Sequence, residues 1–406
     1  MLTVNSRRLW SSLMELARIG ATAKGGVRRL ALSDEDRRGR DCFVGWCRDA
    51  GLAVEVDAIG NIFARRAGTD ADLAPVAIGS HLDSQPSGGK FDGAYGVLAG
   101  LEVVRTLDAA GVRTRAPLEV VAWTNEEGSR FVPTCMGSGV YAGVHTLEHV
   151  LQQRDTGGVS VREALAGIGY DGAAVPHRLG AYFEAHIEQG PVLEEQGTTI
   201  GVVLGALGQR WFDVVVLGQD AHAGPTPMPT RRDALLAASR LVVEINRIGR
   251  EFPDYARGTV GFMAVHPNSR NVVPGEVRMS VDLRSARQAT LDAMVNELRR
   301  CIAAVQDACR VEVRLQEVVA FARSQFADEL VAHVRDAAER LGHSHLDIVS
   351  GAAHDAVYLS RIAPTAMVFV PCAGGISHNE LESARPEHLA AGCDVLLHAV
   401  LACAGQ

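Results

Sequence analysis

The sequence predicts an α/β protein: a mixed sheet covered by helices and built from both ends of the chain, with an inserted βαββαβ (ferredoxin-like) unit. Three observations carry this. Short apolar runs at 52–56, 76–79 and 118–124 alternate with helix-length stretches, the pattern of buried strands under helices. Between about 211 and 321 the order reads strand, helix, strand, strand, helix, strand. Beyond 321 the alternation of helix and strand resumes. The expected division is therefore 1–210 and 322–406 for the main domain, with 211–321 inserted. At ~150 residues per domain, 406 residues allow two to three domains.

Each element has its own reason. The opening segment, MLTVNSRRLWSSLMELARIG, mixes charged and apolar residues and reads as an amphipathic helix, not a signal peptide. Ser33 is an N-cap for a helix over 34–50. Asp92 opens a helix over 93–110, between the strands at 76–79 and 118–124. Around 154–180 the pattern loosens into an irregular excursion. In the insert, WFDVVVLG is a strand and 230–247 a helix. GTVGFMAVH and EVRMSVDLR alternate with period two and read as strands. A helix over 288–310 and the strand VEVRLQEVV complete the unit. The main domain then resumes over 326–342, 346–349, 352–361, a strand at 366–371 and a terminal helix at 386–403.

Composition excludes several functions. A net charge of −8 argues against a nucleic-acid footprint and against a polybasic membrane anchor. No uninterrupted apolar run approaches the ~18 residues of a membrane span. Eight cysteines are scattered without a CxxC pair, which reads as reduced thiols in a cytoplasm. Lys24 and Lys90 are the only lysines, so a Schiff-base mechanism has two candidates at most.

The chemistry lies where strands end. In GSHLDSQPSGGKFDGAYG, His81 and Asp83 follow an apolar run, at the sheet edge where α/β proteins bind ligands. Alternation puts both on one side, so the Asp83 carboxylate is expected to accept the second N–H of His81, leaving the other nitrogen for a metal. Asp92 stands at the opening of the next helix. Lys90 is followed by Phe91, so the glycine run is not a P-loop. In WTNEEGSRF, Glu126 and Glu127 are adjacent and point in opposite directions if extended. In AYFEAHIEQGPVLE, His186 shares a face with Tyr182, Glu184 and Glu188. In GGISHNELE, His378 follows the strand at 366–371. Taken singly, a pair such as His81–Asp83, a Glu-Glu turn or a lone histidine is more often structural or a solvated turn. Together they make a His/Asp/Glu set suited to two divalent ions with a shared carboxylate.

GSHLDSQPSGGKFDG, TNEEGSRF, HIEQGPVLE, AHAGPTPM, RNVVPGEV, SGAAHDA and SHNE, in this order, resemble the di-metal aminoacylase–carboxypeptidase family over nearly the whole chain. The resemblance is to its amidohydrolase branch: N-carbamoyl-L-amino acid hydrolases, β-ureidopropionases and allantoate amidohydrolases. It implies a metallopeptidase-like catalytic domain whose insert serves as lid and dimerisation domain. It implies that Asp92 bridges two metals, that His81 and His186 complete one site, and that Glu127 and His378 complete the other. Glu126 becomes the general base. Gln189, His222, Asn271 and Arg284 match substrate-contacting positions, His222 as oxyanion donor and Arg284 as a carboxylate clamp. The expected cofactors are two divalent ions per subunit, zinc, manganese, cobalt or nickel. The expected partners are a small carboxylate substrate and a second copy of the chain.

The expected reaction cleaves the ureido C–N bond of an N-carbamoyl-L-amino acid or N-carbamoyl-β-alanine to amino acid, ammonia and CO2. The alternatives are allantoate hydrolysis, or a dipeptidase or aminoacylase on the same scaffold. A serine hydrolase fails because Ser138 lies in CMGSG rather than G-x-S-x-G. Cys372, six residues before His378, reads as buried filler rather than a nucleophile.

Overall fold

The computed structural model describes residues 1–253 and 255–405. They form two compact units: Met1–Gly205 with Gln325–Gln406, and Ala206–Ser324.

The first unit begins with α1 (Ser6–Leu16), capped by the Asn5 side chain, and α2 (Asp34–Asp49), capped by Ser33. Strands β1 (Ala53–Val56), β2 (Ile62–Arg66), β3 (Val76–His81) and β4 (Leu118–Trp123) follow, with α3 (Ala94–Ala109) between the last two. Short helices α4 (Met136–Tyr141) and α5 (Leu147–Leu151) precede the excursion expected over 154–180, and α6 (Val161–Ile168) lies inside it. α6 carries a full capping box between Ser160 and Glu163. Next come β5 (Ala181–Ile187), α7 (Val192–Glu195) and β6 (Ile200–Ala206).

The second unit is built from β7 (Gly208–Leu217), α8 (Ala234–Glu251), β9 (Arg257–His266), β11 (Glu276–Ser285), α9 (Gln288–Cys309) and β12 (Glu312–Phe321). Its antiparallel sheet runs β12-β7-β11-β9, the ferredoxin-like order. One face alternates buried Phe212, Val214, Val216, Val277, Met279 and Val281 against α8 and α9. A separate two-residue ladder pairs β8 (Ala221–His222) with β10 (Val272–Val273).

The chain returns through β13 (Ser324–Gln325), α10 (Asp328–Leu341), β14 (His345–Ser350), α11 (Asp355–Leu359), β15 (Thr365–Val370) and α12 (Pro386–Ala404). The main sheet is mixed, in the order β1-β2-β4-β3-β5-β15-β6-β13, with β14 beside β6. β3, β4, β5 and β15 run parallel, so their C-terminal ends share one edge. All four are buried along their whole length, which is why β3, β4 and β15 read as apolar runs; β5, AYFEAHI, carries Glu184 and His186 and does not. α12 is long and apolar enough to cross a membrane by length and composition, but buries most of that length as a core helix. It packs on α1, α3, α10 and the sheet.

Candidate metal centre

The C-terminal edge of the parallel strands gathers seven of the expected residues. His81 ends β3, His186 lies one residue before the end of β5, Asp92 precedes α3, and Glu126 and Glu127 follow β4. His378 and Gln189 sit on loops with positive φ, 53° and 60°.

Asp92 stands at the centre, 7% exposed. Its Oδ1 lies 3.3 Å from His186 Nε2 and 3.5 Å from His81 Nε2. Its Oδ2 lies 3.4 Å from His378 Nε2, which in turn is 3.3 Å from Glu127 Oε2. The two oxygens thus face two donor groups, His81–Asp92–His186 and Asp92–Glu127–His378, each with its donor atoms within 4.8 Å of one another. Glu126 Oε2 is 3.6 Å from His81 Nε2, and its Oε1 accepts the Cys135 thiol at 3.2 Å. Gln189 Nε2 donates to Asp92 Oδ2 at 2.8 Å, while its Oε1 is buried and has no hydrogen-bond partner among the described residues.

Both buried histidines give Nδ1–H to a main-chain carbonyl: His81 to Asp83 O and His186 to Ile187 O, each at 2.9 Å. That fixes the tautomer and turns Nε2 toward Asp92. The expectation for Asp83 is corrected here. Its carboxylate is 3.9 Å from His81 Nδ1, and accepts the Glu126 and Glu127 N–H groups instead. The two glutamates are also not extended. Asn125, at φ 54°, turns the chain after β4, and Asp83 holds the turn. The turn, not strand alternation, sends Glu126 toward His81 and Glu127 toward His378.

The electrostatics fit a cation site. Burial lifts Glu126 well above the usual carboxylate range, and burial together with the Asp92 charge pushes Glu127 up to about 8. Burial would raise Asp92 too, but hydrogen bonds from His186 and His81 hold it well below that range. Burial would lower His81, but Glu126 and Asp92 raise it well above its ordinary value. Buried carboxylates outnumber the cationic groups near them, and two histidine–carboxylate groups sharing one aspartate suit divalent ions.

Sequence reasoning missed several supports. Gln85 gives both its N–H and its side-chain amide to Glu127, at 3.1 and 2.6 Å. His354, in the SGAAHDA segment, packs edge-on against His186 at 4.7 Å, and burial holds its pKa well below the ordinary value. Ser138 is buried and donates to Asp355. Cys372 is buried, as expected.

The remaining expected residues lie in the second unit. His222 and Val272 are register partners, so His222 and Asn271 are brought together. His222 is exposed, and its Nδ1 accepts the Gly224 N–H at 3.1 Å. Arg284 sits near the far end of β11, pairing with Asp282 through Nη2 at 2.7 Å. Asn271 and Arg284, both expected to contact substrate, are not folded onto each other by the turn at Pro274-Gly275. Instead β11 runs unbroken from Glu276 to Ser285. At about 3.4 Å per residue this places Arg284 about 27 Å from the Glu276 end of the strand.

A family model for the peptidase family M20/M25/M40 matches residues 77–402. An N-carbamoyl-L-amino-acid amidohydrolase from Rhizobium meliloti is 48% identical, covering 98% of this chain and 96% of that protein. An allantoate amidohydrolase from Bacillus subtilis is 35% identical over 94% of this chain and 93% of its own. The crystal structure of an amidase of the hydantoinase/carbamoylase family from Burkholderia multivorans superposes with a TM-score of 0.97. It is 55% identical and covers 100% of this chain and 99% of that one.

Proposed function

The chain belongs to the peptidase family M20/M25/M40, and on that footing we propose that it hydrolyses the ureido C–N bond of N-carbamoyl-L-amino acids. The observation that carries the reading is Asp92, with one oxygen toward each histidine–carboxylate group. In this reading His81, Asp92 and His186 hold one divalent ion, and Asp92, Glu127 and His378 the other; zinc, manganese, cobalt and nickel all suit such donors. Bound there, the ions supply Lewis acidity toward a carbonyl oxygen and acidify water.

The chain's own groups do the rest. Glu126 has one oxygen tied to Cys135 and the other facing His81. That second oxygen takes the proton of the attacking water and delivers it to the departing nitrogen. Gln189 keeps an unpaired buried carbonyl for a substrate N–H. His222 donates to the developing oxyanion, and Arg284 and Asn271 bind the substrate carboxylate and amide. The products are the amino acid, ammonia and CO2.

The functional unit is a homodimer joined through the inserted unit. β9 is a ten-residue edge strand with exposed Phe262 and Met263, a surface open to pairing. His222 and Arg284 lie too far apart in one inserted unit to hold the same small molecule, so each site draws them from different subunits. All eight cysteines are free thiols, in keeping with a cytoplasmic location.

The test is kcat/KM for N-carbamoyl-L-α-amino acids, N-carbamoyl-β-alanine and allantoate, with defined metal and after exhaustive chelation. The α-carbamoyl substrates should rank first and chelation should abolish turnover. Allantoate ranking first, or full activity in metal-free protein, would refute the reading.

A further inference from the structure

We propose that Glu382 is a positioning residue, which fixes the Asp92 loop and the His378 loop against each other. The inference rests on the metal-binding reading above, and concerns a residue to which that reading gives no part. Glu382 is 4% exposed, although it lies only four residues beyond His378, whose side chain is half exposed. No lysine or arginine pairs with it among the described residues; its partners are neutral donors.

Those donors close a ring. Glu382 Oε1 accepts the N–H of Phe91 at 2.8 Å and of Asp92 at 3.2 Å. Its Oε2 lies 3.0 Å from Ser377 Oγ, and that hydroxyl is 2.8 Å from Asp92 Oδ2. One carboxylate therefore holds both the main chain of Asp92 and, through Ser377, the side-chain oxygen that faces His378. The other atoms of the His378 loop are largely exposed. Glu382 is the buried anchor that ties this loop to the Asp92 turn.

The room for the carboxylate is reserved. A Cβ on Gly89 would come within 1.9 Å of Glu382 Cδ and 2.1 Å of Oε1. A buried carboxylate is retained only where its oxygens are hydrogen-bonded: here Oε1 takes two main-chain N–H groups, and Oε2 shares the single Ser377 proton with Asp92 Oδ2. Outer partners of this kind set the geometry of the donors they hold, and losing them costs about 10–100-fold in metal affinity or activity.

The experiment uses chelator-stripped full-length protein titrated with manganese(II) by calorimetry. Thermal melting is followed in parallel, and kcat and KM are measured at saturating metal. Glu382→Ala should weaken manganese binding about 10–100-fold and lower kcat more than it raises KM. Glu382→Gln should recover most of that loss. Its carbonyl can take the two N–H groups while its NH2 meets Ser377 Oγ, leaving the single hydroxyl proton for Asp92. Ser377→Ala removes the relay to Asp92 and the hydroxyl beside Glu382 Oε2, but leaves the two main-chain bonds of Glu382 Oε1 in place. It should weaken manganese binding by about tenfold, with the metal-free melting temperature lowered less than in Glu382→Ala. This variant carries the test if Glu382→Ala does not fold. Wild-type manganese affinity in Glu382→Ala or Ser377→Ala would overturn the proposal, as would a Glu382→Gln no better than Glu382→Ala. If wild-type protein binds none of manganese, zinc, cobalt or nickel, the metal reading falls and the proposal with it. If wild type binds and the variants match it, only the proposal falls.

Discussion

Gly93→Ala is the sharpest perturbation of the centre, because it adds one methyl and removes no donor. Gly93 sits at φ 64°, ψ −53°. The Ala94 N–H closes on Asp92 O at 2.6 Å, so residues 92–94 form a γ-turn of positive φ, a strained conformation for any residue with a side chain. A Cβ at this position would lie 2.3 Å from His81 Cε1 and 2.4 Å from both ring nitrogens. Ordinary carbon contacts are about 3.5–4.0 Å, so the ring or the turn must move by about 1 Å or more. The backbone term is about 1–3 kcal/mol. Overpacking adds about 1–3 kcal/mol. Together these should lower the melting temperature of metal-free protein by roughly 5–15 °C. Metal ligation tolerates displacements of only about 0.2 Å, so the function should suffer more than the fold. A shift of about 1 Å should cost about 100-fold or more in kcat/KM. The assay pairs a thermal melt of stripped protein with metal titration and steady-state kinetics. A variant that binds metal and turns over like wild type would refute the placement of His81 in the site.

The two adjacent glutamates should separate cleanly. Glu126→Gln should lose about 10²–10⁴ in kcat while keeping both ions, and Glu127→Gln should lose one ion, as read by metal analysis; the opposite pattern would reverse the assignment. Inactive His222→Ala and inactive Glu126→Gln proteins, mixed and allowed to exchange subunits, should regain activity, since one site of each heterodimer is intact; no recovery after verified exchange would place His222 in its own subunit or outside the reaction. Away from the centre, burial pushes the Asp57 carboxyl up to about 6. A carboxyl whose folded pKa lies above its unfolded one binds its proton more tightly when folded. Its contribution to stability is therefore lost as pH rises from about 4 to about 6, by an amount on the order of 3 kcal/mol. Urea unfolding across that range should show a shallower slope in Asp57→Asn than in wild type, the difference being that contribution, and parallel curves would exclude Asp57 as a source.

β3, β4 and β15 were legible because they are buried on both sides and so spell apolar runs, whereas β5 was marked only by the ionisable face that His186 shares with Glu184 and Glu188. β2 and β6 were not. β2 is five residues long and ends in Arg65 and Arg66, half-buried at the strand's end. β6 reads IGVVLGA, with glycines where the pattern wants side chains; a Cβ on Gly201 would lie 2.9 Å from Phe369 Cβ. α6 left a usable signal, the S-x-x-E spacing of Ser160 and Glu163, but eight residues inside an otherwise patternless stretch do not establish a helical period. In the insert, period-two alternation and amphipathic helices made the ferredoxin-like order readable. The long unbroken β11, which separates Arg284 from Asn271, depends on how far pairing continues, and a turn signal alone does not encode that.

The donors themselves were legible for a different reason. Metal chemistry resides in residue type, and strand ends are marked by sequence, so histidine and carboxylate at those positions can be read without the fold. Their supports are mostly backbone. His81 and His186 each rest on a carbonyl oxygen, which every residue possesses, so no particular side chain beside them announces the contact. A sequence reading that looks for a side-chain partner finds Asp83 and assigns it to His81. In the structure that same carboxylate organises the Glu126–Glu127 turn, through two more backbone groups. Glu382 repeats the pattern across the length of the chain: a side chain whose role is defined by the main-chain N–H groups of Phe91 and Asp92, 291 and 290 residues away. No periodicity links such positions. What connects them is the closure of the sheet, which brings the C-terminal ends of β3, β4, β5 and β15 to one edge and leaves their loops to hold one another.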